Sequence, residues 1–389
     1  MNAADTAWIL TSTALVLFMT LPGLALFYGG LVRARNVLSV FMQTASIAAL
    51  MSLLWLAVGY SIAFGHGGAW QGWWGGLEKA FLAGVTAEDV SGSIPELLLF
   101  AFQMTFAIIT PALVLGAWVE RLTYGFVLWF TGLWMLIVYA PVAHWIWGGG
   151  WLQELGTIDL AGGIVVHETA GLAALLIALF AGPRRVRTVP PHAPWMVFIG
   201  AAMLWVGWFG FNAGSQLAAN GAAALTLVVT HLSAAAGSLS WAAWERIRHG
   251  KASMVGLVTG TIAGLASITP ASGSVGPVEA VLIGAVAGVL CQEAVAVVRG
   301  RLRIDDTLDV MAVHGVGGIF GTLMIAALGH GAWWPQIAAL LAVGAWTVVW
   351  TVAIILGVRL FVPIRVDAET ETNGLDLEVH GERAYDINS

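Results

Sequence analysis

The chain has 389 residues, of which 59% are hydrophobic and 10% are charged, and its formal net charge is −6. Soluble domains carry about 25% charged residues, so the composition excludes a water-soluble globular protein and indicates an integral membrane protein. The 20 Trp and 48 Gly agree with this class, because Trp favours membrane interfaces and Gly lets helices pack closely. The one cysteine, Cys291, excludes a disulfide framework.

Apolar runs long enough to cross a bilayer follow one another along the whole chain. They are residues 8–29, 37–64, 97–118, 123–143, 162–181, 194–213, 222–244, 253–270, 277–298, 310–328 and 335–358. The sequence therefore predicts an all-α integral membrane protein with eleven transmembrane helices. One membrane domain covers residues 1–358, and a short polar tail covers residues 359–389.

The positions of the basic residues predict how the helices cross the membrane. With eleven spans, the connecting segments on one side contain only Lys79, and those on the other side contain the remaining 15 of the 16 Lys and Arg, including Arg187. Cytoplasmic segments are rich in Lys and Arg, so we predict an outside N-terminus and a cytoplasmic tail. Residues 1–7 carry Asp5 and no basic residue, which is unlike a signal peptide.

A weak internal repeat relates the first ten predicted helices. Asp159 precedes His167 by eight residues in the fifth helix, and Asp306 precedes His314 by eight in the tenth. The two copies are residues 8–181 and 194–328, with the eleventh helix, 335–358, outside them. An odd number of helices per copy inverts the second copy. In inverted-repeat transporters, the working site lies between the repeats near the membrane midplane.

The repeat singles out His167 and His314 from the nine histidines, because inverted repeats place equivalent residues opposite each other. Two neutral imidazoles can pass a proton, since one nitrogen donates while the other accepts. A purely structural role for the pair is the alternative. His231 in the seventh span has no repeat partner and is predicted to make a helix contact.

Four aspartates stand at helix starts. Asp159 precedes Ala161-Gly162-Gly163, where a carboxylate caps a helix by accepting free N–H groups. It is also a candidate for a buried carboxylate that lowers the cost of a cation arriving at the outer mouth, and both roles can hold at once. Asp305, Asp306 and Asp309 are predicted to cap the tenth helix, with Arg299 and its neighbours as ion partners.

The sequence contains no motif typical of a soluble enzyme. It lacks a Gly-x-Ser-x-Gly elbow, a P-loop, and a His/Cys cluster with zinc spacing. It also lacks a basic patch suited to nucleic acid. We therefore expect a protein that is not an enzyme and needs no cofactor.

Several motifs over nearly the whole chain resemble those of the ammonium transporter family, in the bacterial branch related to the Rhesus proteins. They are Phe27-Tyr28-Gly29-Gly30-Leu31-Val32-Arg33, Phe102-Gln103 with Phe106, Ala143-His144 with Trp147-Gly148-Gly149-Gly150, Asp159-Leu160-Ala161-Gly162-Gly163 with Val166-His167, Trp208-Phe209-Gly210-Phe211-Asn212-Ala213-Gly214-Ser215, Asp305-Asp306 with Val313-His314-Gly315, and Gly374-Leu375-Asp376 with His380-Gly381-Glu382-Arg383-Ala384-Tyr385. No single motif is specific, but the set is.

The resemblance implies a homotrimer in the plasma membrane, the inner membrane of a bacterium, with one pore per subunit. The residues it assigns are Phe106, Trp147, Phe211 and Ser215 as an outer ammonium site, Asp159 as the buried carboxylate beside it, Phe106 and Phe211 as a gate, and His167 and His314 as the pore pair. Ammonium would be bound and deprotonated, and ammonia would cross while the proton moves separately. The tail motif implies contact with a PII-type signalling protein. Methylammonium is a further candidate substrate.

Glu168 departs from the family pattern, which places an apolar or small residue after the first pore histidine. Neighbours on a helix point about 100° apart, so Glu168 need not enter the pore. It is either a carboxylate satisfied at a helix or subunit contact, or an extra proton site that alters His167.

Two other functions compete with ammonium transport. An ammonium receptor would use the same fold to signal, but such proteins resemble fusions, whereas residues 359–389 form only a short tail. A channel for another neutral gas, as in the Rhesus branch, is disfavoured by Trp147 and Ser215.

Overall fold

A computed structural model describes residues 1–186 and 190–385 of the chain. Arg187, which the charge count groups with the other inner basic residues, lies outside this described part. Below, the end of the helix bundle that holds Lys79 is called the outer end, and the end that holds the tail is called the inner end.

Within the described residues, nine helices are long and apolar enough to cross a membrane, and two shorter apolar helices accompany them. In chain order these are α1 (Ala3–Leu31), α2 (Ala34–Phe64), α3 (Glu96–Ala117), α4 (Tyr124–Glu154), α5 (Gly163–Ala181), α6 (Pro194–Gly214), α7 (Gly221–His249), α8 (Met254–Ile268), α9 (Pro277–Arg301), α10 (Met311–Ala327) and α11 (Trp333–Val358). Each predicted apolar run overlaps one of them.

The two sets of boundaries differ most at α4. The sequence predicts a helix that ends at residue 143, but α4 continues to Glu154 with an interruption at residues 148–150. These three residues are glycines, which destabilise a helix and permit a change of direction. Trp147, just before the interruption, therefore stands at a helix end rather than in a loop.

A short hairpin covers part of the outer end. Strand β1 (Val90–Ser91) pairs antiparallel with β2 (Ile94–Pro95), and α3 begins directly after it at Glu96. Glu96 accepts hydrogen bonds from the hydroxyl of Tyr60 and the ammonium of Lys79. This polar cluster joins the loop to the outer ends of α2 and α3.

Helices α5 and α10 cross at close range because glycines lie at their contact. A Cβ on Gly171 would lie 2.3 Å from the Cα of Gly315, and a Cβ on Gly318 would lie 2.8 Å from the Cβ of His167. Such spacing leaves no room for a side chain, as at other close membrane-helix contacts. Gly171 follows His167 by four residues and Gly318 follows His314 by four, so the two contacts are reciprocal.

Each of these two histidines lies in a π-helical turn. One turn is Gly163–Glu168 at the start of α5, and the other is Met311–Gly315 at the start of α10. Such turns are rare and often mark functional sites, because the wider turn re-aims the side chains it carries. The matching positions agree with the repeat that the sequence shows.

The tail packs against the inner end of the bundle and contains helices α12 (Ala368–Asn373) and α13 (Leu375–His380). The carboxylate of Asp376 accepts hydrogen bonds from the backbone N–H groups of Leu38 (3.1 Å) and Ser39 (2.7 Å) at the start of α2. Glu371, a buried residue of α12, is ion-paired with Arg365 at 2.7 Å. The part of the tail described here, through Tyr385, is therefore ordered.

Candidate functional site

Three aromatic side chains from three helices meet below the outer surface. The rings of Phe106 on α3 and Phe211 on α6 stack with centroids 4.4 Å apart. The indole of Trp147 meets Phe106 edge to face at 5.9 Å. Trp147 also lines an outer cavity of about 280 Å³ together with Tyr60 and Glu96. Lys79 also lines this cavity, whereas the stacked rings of Phe106 and Phe211 do not.

Asp159 holds this arrangement in place through both its side chain and its backbone. Its carboxylate accepts four backbone N–H groups from the start of α5, at 2.7–3.1 Å. Its carbonyl accepts a hydrogen bond of 2.8 Å from Nε1 of Trp147. The carboxylate thus acts as a helix cap, and the backbone fixes the indole that faces the outer cavity. The side chain is buried, and its capping contacts leave the electrostatic interpretation of Asp159 open.

Ser215 follows the last residue of α6, one turn beyond Phe211. Its hydroxyl donates to the carbonyl of Phe211 at 2.8 Å. A hydroxyl whose proton is committed in this way still has acceptor capacity. Ser215 is therefore suited to accept a hydrogen bond from a cationic N–H group, and it is not free to donate one.

His167 and His314 lie face to face beneath the phenylalanines. Their Nδ1 atoms are 3.2 Å apart, and their ring centroids are 5.1 Å apart. The ring of His167 is also 6.1 Å from that of Phe211, so an aromatic column runs from the gate to the histidines. Both imidazoles are buried.

The space along the histidines is narrow and apolar. A cavity of about 10 Å³ lies between the gate ring of Phe211 and the histidine pair. Its other lining residues are Met19, Leu24, Phe27, Ile109, Leu113, Val166, Leu204, Trp208 and Ile262. One water molecule needs about 10–15 Å³, so this passage has room for a single small molecule and for no hydrated ion.

Comparison with known proteins identifies the family. The model of the Ammonium Transporter Family matches residues 7–385. An ammonium transporter of Bacillus subtilis is 42% identical over 404 residues, which covers 99% of both chains. The crystal structure of Saccharomyces cerevisiae Mep2 matches with a TM-score of 0.87 and 36% identity, over 94% of this chain and 91% of that one.

This chain belongs to the ammonium transporter family. It is accordingly a multi-pass, all-α integral membrane protein of a transporter family. A second structural relative, described as a sensor Amt protein, has a TM-score of 0.91 at 28% identity and covers 97% of this chain and 98% of that one.

In this member of the ammonium transporter family, the structure adds Trp208 to the candidate residues. Its indole stacks on His167 with centroids 5.5 Å apart, and its Nε1 donates to Thr269 at 2.9 Å. Trp208 belongs to one of the family-like motifs of the sequence, in which it has no assigned role. Trp208 precedes Phe211 by three residues on α6, and residues three apart share a helix face. This spacing is the signal in the sequence that could have placed Trp208 beside Phe211.

Glu168 lies outside the pore wall. Its side chain is buried, and one carboxyl oxygen would lie 3.2 Å from a Cβ added to Gly344 of α11. The other oxygen, Oε2, has no hydrogen-bond partner among the described residues. The residue therefore faces the eleventh helix and not the histidine passage. His231, the other residue set apart in the sequence, contacts Trp205 with ring centroids 5.2 Å apart.

The prediction that three aspartates cap α10 is correct for only one of them. Asp306 accepts the N–H of Met311 at 2.7 Å. Asp305 instead forms an ion pair with Arg184, at 3.0 Å between Nε and Oδ2. Asp309 forms an ion pair with Arg299, at 2.6 Å. The ion pairs hold the carboxylates of Asp305 and Asp309 away from the N–H groups that begin α10, and the pairing of Asp309 with Arg299 is one that the sequence predicts.

Proposed function

We propose that this protein transports ammonium across the membrane by binding the cation outside, removing a proton, and conducting ammonia through the histidine passage. The observation that carries this proposal is the succession of three features, each in contact with the next. These are a cation-attracting indole at Trp147, the stacked gate of Phe106 and Phe211, and the buried pair His167 and His314.

The energetics of the passage support deprotonation. A charged group in the middle of a bilayer costs several kcal/mol, and the 10 Å³ cavity excludes the water that would offset this cost. Ammonia is neutral and small enough for such a space. The reaction is the loss of one proton from ammonium, whose N–H bond breaks while its electron pair stays on nitrogen. The histidine pair offers a nitrogen that can accept this proton and another that can pass it on.

The outer site supplies selectivity for a small cation before the gate. A cation over an indole face gains about 0.5–2 kcal/mol. The hydroxyl of Ser215 offers a hydrogen-bond acceptor to an N–H group of the cation. An alkali cation has no N–H group. A neutral gas would gain nothing from either contact, so the arrangement favours ammonium or methylammonium over another gas.

We further propose the membrane arrangement. Eleven spans with an outside N-terminus place Lys79 outside and the other basic residues in the cytoplasm, as the positive-inside rule requires. Helices α8 and α10 are shorter than the other nine. The apolar segments that contain them cover residues 253–270 and 310–328, which is long enough to cross a bilayer, so we count both as spans. The assembly is a homotrimer with one pore in each subunit, in the plasma membrane of the cell.

The test of the function is ammonium transport by protein reconstituted in liposomes. Replacing both His167 and His314 with alanine should abolish the ammonium-evoked current on a solid-supported membrane. The control is His231→Ala, because this histidine is exposed and contacts only a neighbouring helix. Unchanged current in the double variant would overturn the histidine mechanism, and an inactive wild type would overturn ammonium transport itself.

An ammonium sensor is the second candidate function, and the likeness to a sensor Amt protein favours it. A sensor needs to bind the cation and need not conduct it. Binding of ammonium to the purified protein, measured by calorimetry, together with no flux in liposomes would support the sensor. Flux at rates comparable to other transporters would support transport.

We also propose that a PII-type signalling protein binds the tail and the inner face. A cavity of about 340 Å³ lies there between the tail and the first residues of α2. Its lining includes Arg35, Asp376 and Tyr385. Removing residues after Phe361 should abolish inhibition by a PII protein. Inhibition that survives the truncation would contradict this proposal.

A further inference from the structure

A second cavity continues the pore toward the inner end. It has a volume of about 180 Å³ and shares Phe27, Ile262 and His314 with the narrow histidine passage. Unlike that passage, it also has charged walls, formed by Arg184, Arg299 and Asp309 with the phenol of Tyr28. A molecule that leaves His314 on the inner side therefore enters a space large enough for several waters.

Three neighbouring aspartates stand near this cavity, and two of them are committed elsewhere. Asp305 binds Arg184 through two side-chain hydrogen bonds and accepts the Arg184 backbone N–H at 2.8 Å. Asp306 is buried and caps α10 through the N–H of Met311. Neither carboxylate lines the cavity. Asp309 lines it, and its side-chain contact is the ion pair with Arg299.

The backbone aims Asp309 at the cavity. Its φ is +61°, in the left-handed region that Asp and Asn adopt more readily than other side chains. Its carbonyl accepts the N–H of Val313 at 2.9 Å, so the residue is anchored to the start of α10. Asp309 therefore stands just before α10, five residues ahead of His314, and both residues line the same cavity.

The carboxyl of Asp309 is placed to exchange protons with water. Its side chain is 18% exposed, and that of Arg299 is 46% exposed, so the pair borders the inner solvent. Burial raises the pKa of Asp309 to about 7, although the charge of Arg299 lowers it. The charged and titratable groups that face it are Arg299 from α9, Arg184 from the segment after α5, Asp306 from its own segment, and His314 and Tyr28 across the cavity.

We propose that Asp309 is the inner proton-exchange residue of the pore, which donates a proton to ammonia arriving past His314 and is then reprotonated from the cytoplasm. This inference rests on the proposed function. In the step, the O–H bond of the carboxyl breaks and an N–H bond forms on ammonia, which gives ammonium and a carboxylate. A hydronium ion in the inner cavity returns the proton and leaves as water.

The ion pair with Arg299 has a defined part in this step. The guanidinium stabilises the carboxylate that remains after donation, and it repels the ammonium that has formed. Both effects favour release of the product toward the cytoplasm. An arginine also stays charged throughout the neutral pH range, so the pH dependence of this step is assigned to the carboxyl of Asp309.

The test uses the full-length protein in liposomes that contain a pH-sensitive dye, with ammonium-evoked current recorded in parallel. Ammonia entry without a proton raises the internal pH, and entry with a proton gives current, so either stoichiometry gives a signal. Asp309→Asn removes the exchangeable proton and keeps a side chain suited to the left-handed backbone. We expect its rate to fall roughly tenfold or more, as when a general acid is lost. Its rate should also lose the dependence on internal pH between about 6 and 8 that the wild type shows.

Two further variants make the outcome decisive. Glu293→Gln is the matched control, because Glu293, on α9, is also a carboxylate paired with an arginine, Arg248 at 3.5 Å, and it does not line the cavity. It should behave as the wild type. Arg299→Gln removes the partner that favours the ionised carboxyl, so the midpoint of the pH profile should move to higher pH.

The results separate this inference from the proposed function. A wild type without any ammonium signal overturns both. An active wild type with an Asp309→Asn variant of the same rate and pH profile overturns the inference alone. Should Asp309→Asn fail to fold, as shown by its melting curve, an unmoved pH profile in Arg299→Gln overturns it instead.

Discussion

The Nδ1 atoms of His167 and His314 face each other at 3.2 Å. At this distance one nitrogen must donate and the other must accept, so two neutral rings have to be in opposite tautomers. The ring that carries its proton on Nδ1 then presents a bare Nε2. Nε2 of His167 has no hydrogen-bond partner among the described residues. A switch of tautomers in the pair would move a proton acceptor from one end of the passage to the other.

The indole of Trp147 should control the apparent affinity for ammonium. Trp147→Leu removes a cation–π contact of about 0.5–2 kcal/mol, so half-saturation should rise roughly 2- to 30-fold. The maximal rate should change less, because the gate and the histidines are untouched. Concentration series of the ammonium-evoked current measure both quantities. Trp334→Leu, at an exposed tryptophan of α11, should leave the half-saturation unchanged, and an equal shift in both variants would contradict the assignment.

The carboxylate of Asp159 should stabilise the fold more than an ordinary helix cap does. Asp159→Ala leaves four backbone N–H groups without their acceptor, and each such buried group costs about 1–3 kcal/mol. Thermal melting of the detergent-solubilised protein should therefore show a large loss of stability. The comparison is Asp367→Ala, which removes the exposed cap of α12 at a cost of about 1 kcal/mol. Similar shifts in the two variants would count against the role given to Asp159.

Replacing Glu168 should tell a structural carboxyl from a proton site. The side chain faces α11, and Oε2 lacks a partner among the described residues. Substituting an apolar residue for a poorly satisfied buried ionisable group is often neutral or stabilising by about 1–4 kcal/mol. Glu168→Val should therefore melt at or above the wild-type temperature and keep ammonium flux within about twofold, since a buried side chain that does not line the pore contributes little to the barrier. Lost flux in both Glu168→Val and Glu168→Gln, with normal melting, would make it part of the proton route.

Asp376 should hold the tail on the inner face. Asp376→Ala removes the acceptor for the N–H groups of Leu38 and Ser39, which start α2. Losing a cap of this kind costs about 0.5–2 kcal/mol. Limited proteolysis should then cleave the tail roughly 2- to 30-fold faster, as the open form becomes more populated. Glu382→Ala, at an exposed tail position, should be cut at the wild-type rate. A tail equally resistant in both variants would exclude this anchor.

Much of the architecture follows from local sequence properties. Apolar length and the positions of the basic residues depend on each segment by itself, and every predicted run overlaps a helix of the structure. Equal spacing from Asp159 to His167 and from Asp306 to His314 pointed to the histidine pair, because a repeat carries spatial information. The matching glycines, Gly171 and Gly318, were also readable in this way, since each follows its histidine by four residues.

The spacing of residues along the chain did not show which partner each of the three aspartates before α10 binds. Asp305, Asp306 and Asp309 are alike in sequence, and helix capping explained all three equally well. Arg184, which pairs with Asp305, lies far away in the chain after α5, whereas Arg299, which pairs with Asp309, was among the ion partners predicted from the sequence. For Asp159 the sequence left two interpretations, a helix cap and a buried carboxylate near the outer mouth. In the structure its carboxylate oxygens accept four backbone N–H groups, as the capping interpretation predicts.

The sequence by itself determined the class of protein, the helices, the sided distribution of charge and the family resemblance, because hydropathy, charge and motifs are properties of contiguous residues. Only the tertiary structure decided which residues share a space. It stacked Phe106 on Phe211, turned Glu168 toward α11, and left Asp309 as the aspartate of its group that lines the inner cavity. The reason is physical: these contacts join helices far apart in the chain, and their geometry depends on glycine crossings and π-turns that set each side chain's direction.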